Sequence, residues 1–332
     1  MNTYKNIIRN LLILILVSGF AFYVYALSRP VIYNADNGTL RIPHGASANL
    51  VAKQLEKQNC INNPWLFMIS MKITFNERSI KPGRYSLNGI RNYTNLIQMI
   101  TSQSSERIKV TILEGWNNSQ IIDKLSKTLD LDPNKFNTLC CNVEFISSLD
   151  IKSPTLEGYL FPDTYILLTS YTEKDIVRLL VNHSKLNYRN HIDYRARKLG
   201  LTRNEVFTLA SIIQGEAMLV SEMNIISSVY HNRLNSNMYL QADPTVQFAI
   251  PGKNRRLWNK DYKIDHRYNT YKYKGLPPGP INNPGLDALK AAVNPALTNH
   301  LYFVADGTGK HVFSNTNDEH NRAKNMVKRK RK

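Results

Sequence analysis

The sequence is poor in the residues that build disulfide-rich or metal-dependent proteins. Its 332 residues include three cysteines, Cys60, Cys140 and Cys141, and two of these are adjacent. This number and spacing exclude a disulfide framework. No cysteine or histidine stands at a spacing typical of zinc ligands, so we expect no metal site. The three thiols are therefore expected to be buried or free.

Other familiar catalytic patterns are missing too. The eight histidines are scattered, and none accompanies a serine or cysteine nucleophile motif. There is no glycine-rich loop of the kind that binds phosphate, and we expect no cofactor. The catalytic site that remains compatible with the sequence is one that uses a single carboxylate.

One long hydrophobic run is present, residues 11–27. At ~1.5 Å per residue it is enough for a slightly short transmembrane helix. Lys5 and Arg9 precede it, which places residues 1–10 in the cytoplasm and the remainder on the outer, periplasmic side of the inner (cytoplasmic) membrane. A cleaved signal peptide is the alternative, because residues 24–26 weakly resemble a cleavage site. We favour a single-pass anchor and expect the core residues to lie beyond residue 30.

Acidic residues are scarce relative to basic ones. The chain has 25 aspartates and glutamates against 43 lysines and arginines, a net charge of +18. Much of the excess lies in a C-terminal basic tail, residues 326–332, which we expect to be disordered. Nucleic-acid binding would explain such a charge, but an exported domain argues against it. Attraction to anionic lipids, at ~1 kcal/mol per basic residue near the surface, and a solvated tail without a partner are the alternatives.

Residues 38–150 carry a strand–turn–helix pattern twice. Residues 40–45 predict a strand and turn before a helix containing Leu55, and residues 110–115 predict the same before a helix containing Leu125. Equivalent positions recur at one constant spacing, which predicts an internal repeat of small α+β modules. Each turn ends in a glycine, the residue that best tolerates a positive φ.

The stretch around Glu216 has the features of a catalytic helix. Thr202 followed by Glu205 is a capping box, which predicts a helix start. Apolar residues then recur at helical spacing and predict one buried stripe: Val206, Leu209, Ala210, Ile213 and Ala217. Glu216 borders this stripe near the expected helix end. Apolar neighbours and the helix dipole would both raise its pKa, as a general acid near neutral pH requires; a solvated glutamate is the alternative.

Polar side chains follow this helix in unusual density. A second helix capped by Ser221 is predicted, and polar residues come at and after its end: Asn232, Arg233, Gln241, Asp243 and Thr245. A polar cluster beside two hydrophobic helices favours a cleft. Residues 275–284 contain too many prolines and glycines for a helix or a central strand, and such a loop suits one wall of a groove.

These segments resemble the YceG-like family of endolytic murein transglycosylases. The likeness lies in the helix ending at Glu216 and in residues 157–165, 232–234, 241–245, 269–271, 275–281, 283–285 and 302–307. Members usually carry two glutamates spaced Glu-x-Glu on the helix, and the second is catalytic. Here Gln214 occupies the first position and Glu216 the second. The resemblance covers most of the chain.

The resemblance implies an α+β fold in three parts. These are an N-terminal transmembrane helix, one or more small LysM-like α+β modules within residues 38–150, and a mixed α+β catalytic domain with a helical core at residues 152–325. A LysM-like module would offer a glycan-binding surface; a structural spacer is the alternative. The implied activity is cleavage of MurNAc–GlcNAc bonds in nascent peptidoglycan strands, which leaves 1,6-anhydro-MurNAc ends and limits strand length.

The resemblance also assigns roles. Glu216 is the predicted acid and base, because a lytic transglycosylase uses the 6-hydroxyl of its substrate as the nucleophile. Predicted substrate-binding residues are Asn232, Arg233, Gln241, Asp243, Thr245, Asp163 and Tyr271, although Asp163 could simply fix the turn at Pro162. Expected partners are glycan strands, the membrane and peptidoglycan synthases. A hydrolase with Asp243 or Asp163 as second carboxylate, and a non-catalytic glycan-binding scaffold, are the alternatives.

Overall fold

The protein is represented by a computed structural model that describes residues 2–32, 38–43, 45–102, 107–250, 252 and 255–330. The chain divides into two compact units. Unit 1 comprises residues 1–109 and 166–172, and unit 2 comprises residues 110–165 and 173–332. Helices predominate and the strands pair in twos, so the predicted mixed α+β class with an N-terminal apolar helix is confirmed.

The described residues of unit 1 form four helices and a short two-stranded antiparallel sheet, whose strands are separated along the chain by two of the helices. The helices are α1 (Asn2–Ser28), α2 (Ala48–Lys57), α3 (Pro64–Ile73) and α4 (Tyr93–Ser102), and the strands are β1 (Thr39–Ile42) and β2 (Gly83–Ser86). Leu40 of β1 lies opposite Tyr85 of β2, and both are almost completely buried among the apolar residues of α2, α3 and α4.

Helix α1 is long and apolar enough to cross a membrane over Tyr4–Ser28, although a signal sequence would have the same properties. Its C-terminal end is part of the unit 1 core, since Ala26 and Leu27 are buried there. The hydroxyl of Ser70 donates to the Ala26 carbonyl over 3.3 Å. The expectation that the core begins beyond residue 30 is therefore wrong; it begins at residue 26.

Both predicted strand–turn–helix patterns are present. Gly45 and Gly115 adopt φ angles of 75° and 76°, and Ser47 and Asn117 cap the helices that follow. The second pattern belongs to unit 2, where the Gly115 N–H donates to the Asn283 carbonyl over 2.9 Å.

Unit 2 is mainly helical. Its helices are α5 (Asn118–Leu129), α6 (Pro133–Cys141), α7 (Val143–Ser148), α8 (Glu173–His191), α9 (Asp193–Lys198), α10 (Arg203–Glu216), α11 (Met223–Asn235), α12 (Asp243–Ala249), α13 (Leu286–Ala292) and α14 (Asn317–Lys330). Strands β5 (Tyr302–Ala305) and β6 (His311–Ser314) pair with each other. Strands β3 (Arg107–Thr111) and β4 (Thr164–Leu168), each divided between the residues of the two units, form a further pair. Helix α10 is central, with α11, α12 and α13 packed against it.

The C-terminal segment corrects one prediction. Residues 326–330, expected to be disordered, continue α14 as a helix. Ala323 and Val327 are one helical turn apart, and both are buried, so the helix packs one face against β5 and β6. Glu319 fixes its first turn by accepting the Asn315 N–H over 2.8 Å. Residues 331–332 lie outside the described residues.

The burial of Ala26 and Leu27 leads to a test by truncation. A chain lacking residues 1–23 keeps both residues, whereas a chain lacking residues 1–30 loses them. Burying one leucine side chain contributes about 2 kcal/mol, so the shorter chain should lose at least that much stability in unit 1. Hydrogen exchange of the β1 and β2 amides measures the difference. Equal protection in the two truncated chains would show that the end of α1 does not stabilise this core.

Candidate active site

The capping box predicted for α10 is confirmed. The Glu205 N–H donates to the Thr202 hydroxyl over 3.3 Å, and the Glu205 carboxylate accepts the Thr202 N–H over 2.8 Å. The helix ends at Glu216, as predicted. Its burial is wider than one stripe, because neighbouring helices surround it and also bury Phe207, Thr208, Ser211 and Ile212. The predicted cap of the next helix is wrong, since Ser221 lies in a 3-10 turn before α11.

Gly215 allows α12 to approach the last turn of α10. A Cβ atom at residue 215 would lie 2.9 Å from Cβ and 3.0 Å from Cγ of Pro244. The backbone of α10 stays regularly helical here, and the Ala217 N–H donates to the Ile213 carbonyl over 2.9 Å. A glycine is therefore needed at residue 215 for close packing and not for a break in the helix.

A cleft of about 680 Å³ opens along the end of α10. Its floor is formed by Gln214, Gly215 and Glu216 together with Asp243 and Pro244 of α12. Part of its wall comes from the loop 275–284, through Ile281 and Asn282, and further wall residues include Gly115, Asn117, Gln120, Gln247, Arg255 and Arg256. The predicted loop is thus irregular and borders the cleft.

The carboxyl group of Glu216 is set among protein groups. Tyr230 of α11 donates its hydroxyl to Glu216 Oε1 over 3.1 Å, and the backbone N–H of Asp243 also donates to this carboxyl. Burial, and secondarily the negative charge of Asp243, raise the pKa of Glu216 to about 7, while the Tyr230 hydrogen bond and the charge of Arg233 oppose the rise. A carboxyl group with such a pKa can both donate and accept a proton near neutral pH.

Two tyrosines hold the side chain of Asp243. The Tyr271 hydroxyl donates to Asp243 Oδ1 over 2.6 Å and the Tyr262 hydroxyl to Oδ2 over 3.3 Å. Their rings contact each other edge to face, with centroids 4.7 Å apart. Both oxygens of Asp243 are therefore engaged. The sequence prediction included Asp243 and Tyr271 but missed Tyr262, which stands outside the quoted motifs.

Arg233 holds backbone instead of facing the cleft. Its guanidinium is buried and donates to the carbonyls of Leu301 over 2.6 Å and Leu240 over 2.8 Å. It also approaches Gln241 Oε1 at 3.5 Å. Gln241 itself is exposed with a φ of 48°. The two polar residues thus fix the turn that leads from α11 into α12.

Asn232 and Thr245 also donate hydrogen bonds to backbone carbonyls. The Asn232 amide donates to the carbonyls of Thr298 over 2.9 Å and His300 over 3.0 Å. The buried Thr245 hydroxyl donates to the Ala242 carbonyl over 2.7 Å. The structure shows these predicted binding residues bonded to backbone that supports the site.

Asp163 lies elsewhere. It is not among the described residues that line the cleft. Its Oδ1 accepts the Thr164 N–H over 2.7 Å, and Oδ2 lies 3.6 Å from His183 Nε2. The alternative interpretation, that Asp163 fixes the turn at Pro162, is the one these contacts favour.

Gln214 faces a second acidic residue, Glu114. Gln214 Oε1 accepts the Gly285 N–H over 3.0 Å, and its side chain also forms a hydrogen bond with the Glu114 carboxyl. Burial and the charge of Asp287 raise the pKa of Glu114, and the bond from Gln214 lowers it. The Glu114 carboxyl occupies the position that a Cβ at residue 285 would take. The side chain of Gln214 therefore bonds to Glu114, whereas the side chain of Glu216 bonds to Tyr230.

A buried polar cluster fixes the loop 275–284 at the cleft wall. The Asn283 side chain accepts the Leu160 N–H over 2.8 Å and donates to Asn118 Oδ1 over 3.0 Å. The Glu157 carboxyl accepts the Asn118 N–H over 3.1 Å, and burial raises its pKa to about 8. Glu157 and Asn283 stand within the motif segments, but no pattern in the sequence indicates that they meet.

Comparison with known proteins gives a family match over most of the chain. The model of the YceG-like family matches residues 40–326, which is most of the chain. The chain belongs to the YceG-like family. A Bacillus subtilis protein named endolytic murein transglycosylase is 32% identical over 93% of this chain and 90% of its own length. A Streptococcus pneumoniae protein of the same name is 30% identical over 94% of this chain and 62% of its own length.

The family also includes a solved structure. The crystal structure of a YceG-like protein from Listeria monocytogenes is 32% identical and matches with a TM-score of 0.61 over 86% of this chain and 97% of that chain. The family fold therefore extends over nearly the whole sequence.

The raised pKa of Glu216 predicts a pH-dependent effect on stability. The unfolded chain releases this proton near pH 4.5 and the folded chain near pH 7, so parent stability falls as pH rises through this window. Glu216→Gln removes the effect and should gain about 3 kcal/mol over the parent above pH 7, with no gain below pH 4. Urea denaturation across this range measures it. Glu144→Gln, at an exposed position of α7, serves as the control, and a gain that does not depend on pH would contradict the assignment.

The Gln214–Glu114 contact predicts the effect of restoring the usual family residue. Gln214→Glu places two carboxylates together, so it should raise the pKa of Glu114 and destabilise the protein at neutral pH more than at acid pH. We expect the pKa of Glu216 in this variant to stay within about half a unit of its value in the parent. Adding Glu114→Gln should restore stability. Carboxyl NMR titrations of the single and double variants test this, and a shift of Glu216 by a full unit would show that residues 214 and 216 share one electrostatic site.

Proposed function

We propose that this protein is a membrane-anchored endolytic peptidoglycan lytic transglycosylase. Glu216 donates its proton to the glycosidic oxygen between MurNAc and GlcNAc, the bond from that oxygen to MurNAc C1 breaks, and the GlcNAc 4-hydroxyl leaves. The MurNAc 6-hydroxyl oxygen then bonds to C1 and gives its proton to the Glu216 carboxylate. The strand ends in 1,6-anhydro-MurNAc, the acid is regenerated, and no water is consumed.

The observation that carries the proposal is the position of Glu216 in the cleft with a pKa of about 7. One group that alternates between acid and base works best with a pKa near the working pH. An attacking hydroxyl within the substrate also provides a large effective concentration. The names of the Bacillus and Streptococcus relatives agree with this reaction.

Asp243 is proposed to position Glu216 and the sugar through its backbone N–H and its pair of tyrosines. Gln241, which is exposed just before α12, and Tyr271, which is bonded to Asp243, are proposed substrate contacts. Asn232, Arg233 and Thr245 are proposed to act by holding the backbone around them. The hydrolytic alternative rests on one observation, that Asp243 is a second carboxylate in the cleft. The two tyrosine hydrogen bonds on its oxygens favour a positioning role over attack on C1 or activation of water.

The apolar helix α1 supports a proposal for the cellular location of the protein. We propose that α1 spans the cytoplasmic membrane once, with Lys5 and Arg9 inside and the chain beyond α1 outside. The substrate would be nascent glycan strands, whose length the enzyme limits, and peptidoglycan synthases would be its partners. The LysM-like character proposed for residues 38–150 would add glycan affinity near the membrane.

Product analysis tests the proposed reaction. The full chain in detergent should convert purified peptidoglycan to fragments with 1,6-anhydro-MurNAc ends, identified by mass. Glu216→Gln should lower turnover by about 10²–10⁴-fold, the usual contribution of acid–base catalysis, with glycan binding retained. Glu144→Gln should cleave at the parent rate. Reducing MurNAc ends would establish a hydrolase instead, and near-parent cleavage by Glu216→Gln would make Glu216 structural.

A further inference from the structure

We propose that the turn after α3, residues 72–78, contacts the lipid head-group region, with Phe75 inserted into the membrane–water interface. The inference rests on the proposed membrane anchoring of α1 and adds a second contact between unit 1 and the bilayer. It concerns unit 1 alone.

The aromatic residues of α1 mark where the helix would leave the membrane. Phe22, Tyr23 and Tyr25 cluster near its C-terminal end, and Arg29 follows. Tyrosine is enriched at membrane–water interfaces, where its ring and hydroxyl face different environments. The interface on the outer side should therefore lie near residues 22–25.

Helix α3 runs back along α1 toward this level. The Ile32 N–H, beyond the end of α1, donates to the Cys60 carbonyl just ahead of α3 over 2.8 Å. Further along α3, the Ser70 hydroxyl reaches the Ala26 carbonyl at 3.3 Å. The chain from Cys60 to Ser70 thus runs in the direction opposite to the chain from Ala26 to Ile32, and the C-terminal half of α3 contacts α1 at Ala26.

Phe75 lies just beyond the contact between α3 and α1. It comes two residues after α3 ends at Ile73, and Ser70, about one helical turn before that end, contacts Ala26. Phe22 lies about one helical turn before Ala26 on α1, on the side of the proposed bilayer. Phe22 and Tyr23 are 41% and 37% exposed, against 68% for Phe20. This lower exposure is expected if the end of α3 covers that part of α1.

Phe75 is held outward by a fixed turn. Its side chain is 91% exposed and its φ is 56°, which is uncommon for a bulky residue. The Phe75 N–H donates to the Lys72 carbonyl and the Asn76 N–H to the Met71 carbonyl, each over 2.9 Å. A fully exposed phenylalanine in a hydrogen-bonded turn suits a partly apolar partner. Lys72 and Arg78, both exposed, suit anionic head groups.

Lipid quenching of tryptophan fluorescence tests this contact. The full chain carrying Phe75→Trp is placed in nanodiscs of phosphatidylcholine and phosphatidylglycerol, with and without bromine near the head-group end of the acyl chains. The added fluorescence, obtained by subtracting the parent, should be at least halved by bromine. Asn62→Trp, at the exposed opposite end of α3, is the matched control and should keep its fluorescence.

Each outcome decides between the two proposals. If the Phe75→Trp signal is quenched no more than the Asn62→Trp signal while the parent resists extraction from vesicles at alkaline pH, the Phe75 contact is wrong and the anchor stands. If alkali extracts the parent, the anchor fails and this inference fails with it. Thermal unfolding of Phe75→Trp should match the parent because the position is exposed. If it does not, a spin label on Phe75→Cys repeats the test through oxygen accessibility, with the same two outcomes.

Discussion

The contact between Gly215 and Pro244 is the constraint on which the candidate site depends. Because residue 215 has no side chain, α12 can meet the last turn of α10 with the Pro244 ring 2.9 Å from the point where a Cβ would stand. This approach brings the Asp243 N–H and the charge of Asp243 to Glu216. The raised pKa, the cleft floor and the tyrosine pair on Asp243 all follow from the distance between these two helices.

The loop 275–284 shows how an irregular segment becomes a firm wall. It has no helical or strand hydrogen bonds of its own, yet Asn283 is completely buried and its side-chain amide bonds to Leu160, Trp116 and Asn118, which belong to two other segments. Ser211 of α10 adds a hydrogen bond to the Ile281 N–H over 3.0 Å. Buried polar groups must be paired, so the loop is held in one position relative to Glu216.

The polar residues near Glu216 therefore fall into two groups, those that line the cleft and those that bond to the backbone around it. Glu216 and Asp243 line the cleft, whereas Arg233, Asn232 and Thr245 spend their hydrogen bonds on backbone carbonyls. Replacing the second group would disturb the turns that present the first. The second strand–turn–helix pattern, which belongs to unit 2, also contributes to this site: Gly115 and Asn117 border the cleft, and the Gly115 N–H binds the loop at the Asn283 carbonyl.

Elements whose causes are local could be predicted from the amino-acid sequence. The capping box and the apolar spacing predicted the bounds of α10, the glycines predicted both turns, the apolar run predicted α1, and the proline-rich stretch predicted the loop. Each of these depends on neighbours within a few residues. The motif segments also located Glu216 and Asp243.

What those elements do together depends on packing between distant parts of the chain. Only the folded protein showed that Tyr230, Tyr262 and Glu114 meet the site residues, that Asp163 does not line the cleft, and that α14 continues into the basic tail. It also placed the end of α1 within a core. Hydrogen bonds and desolvation between residues far apart in sequence leave no periodic signal, so only the folded chain could reveal them.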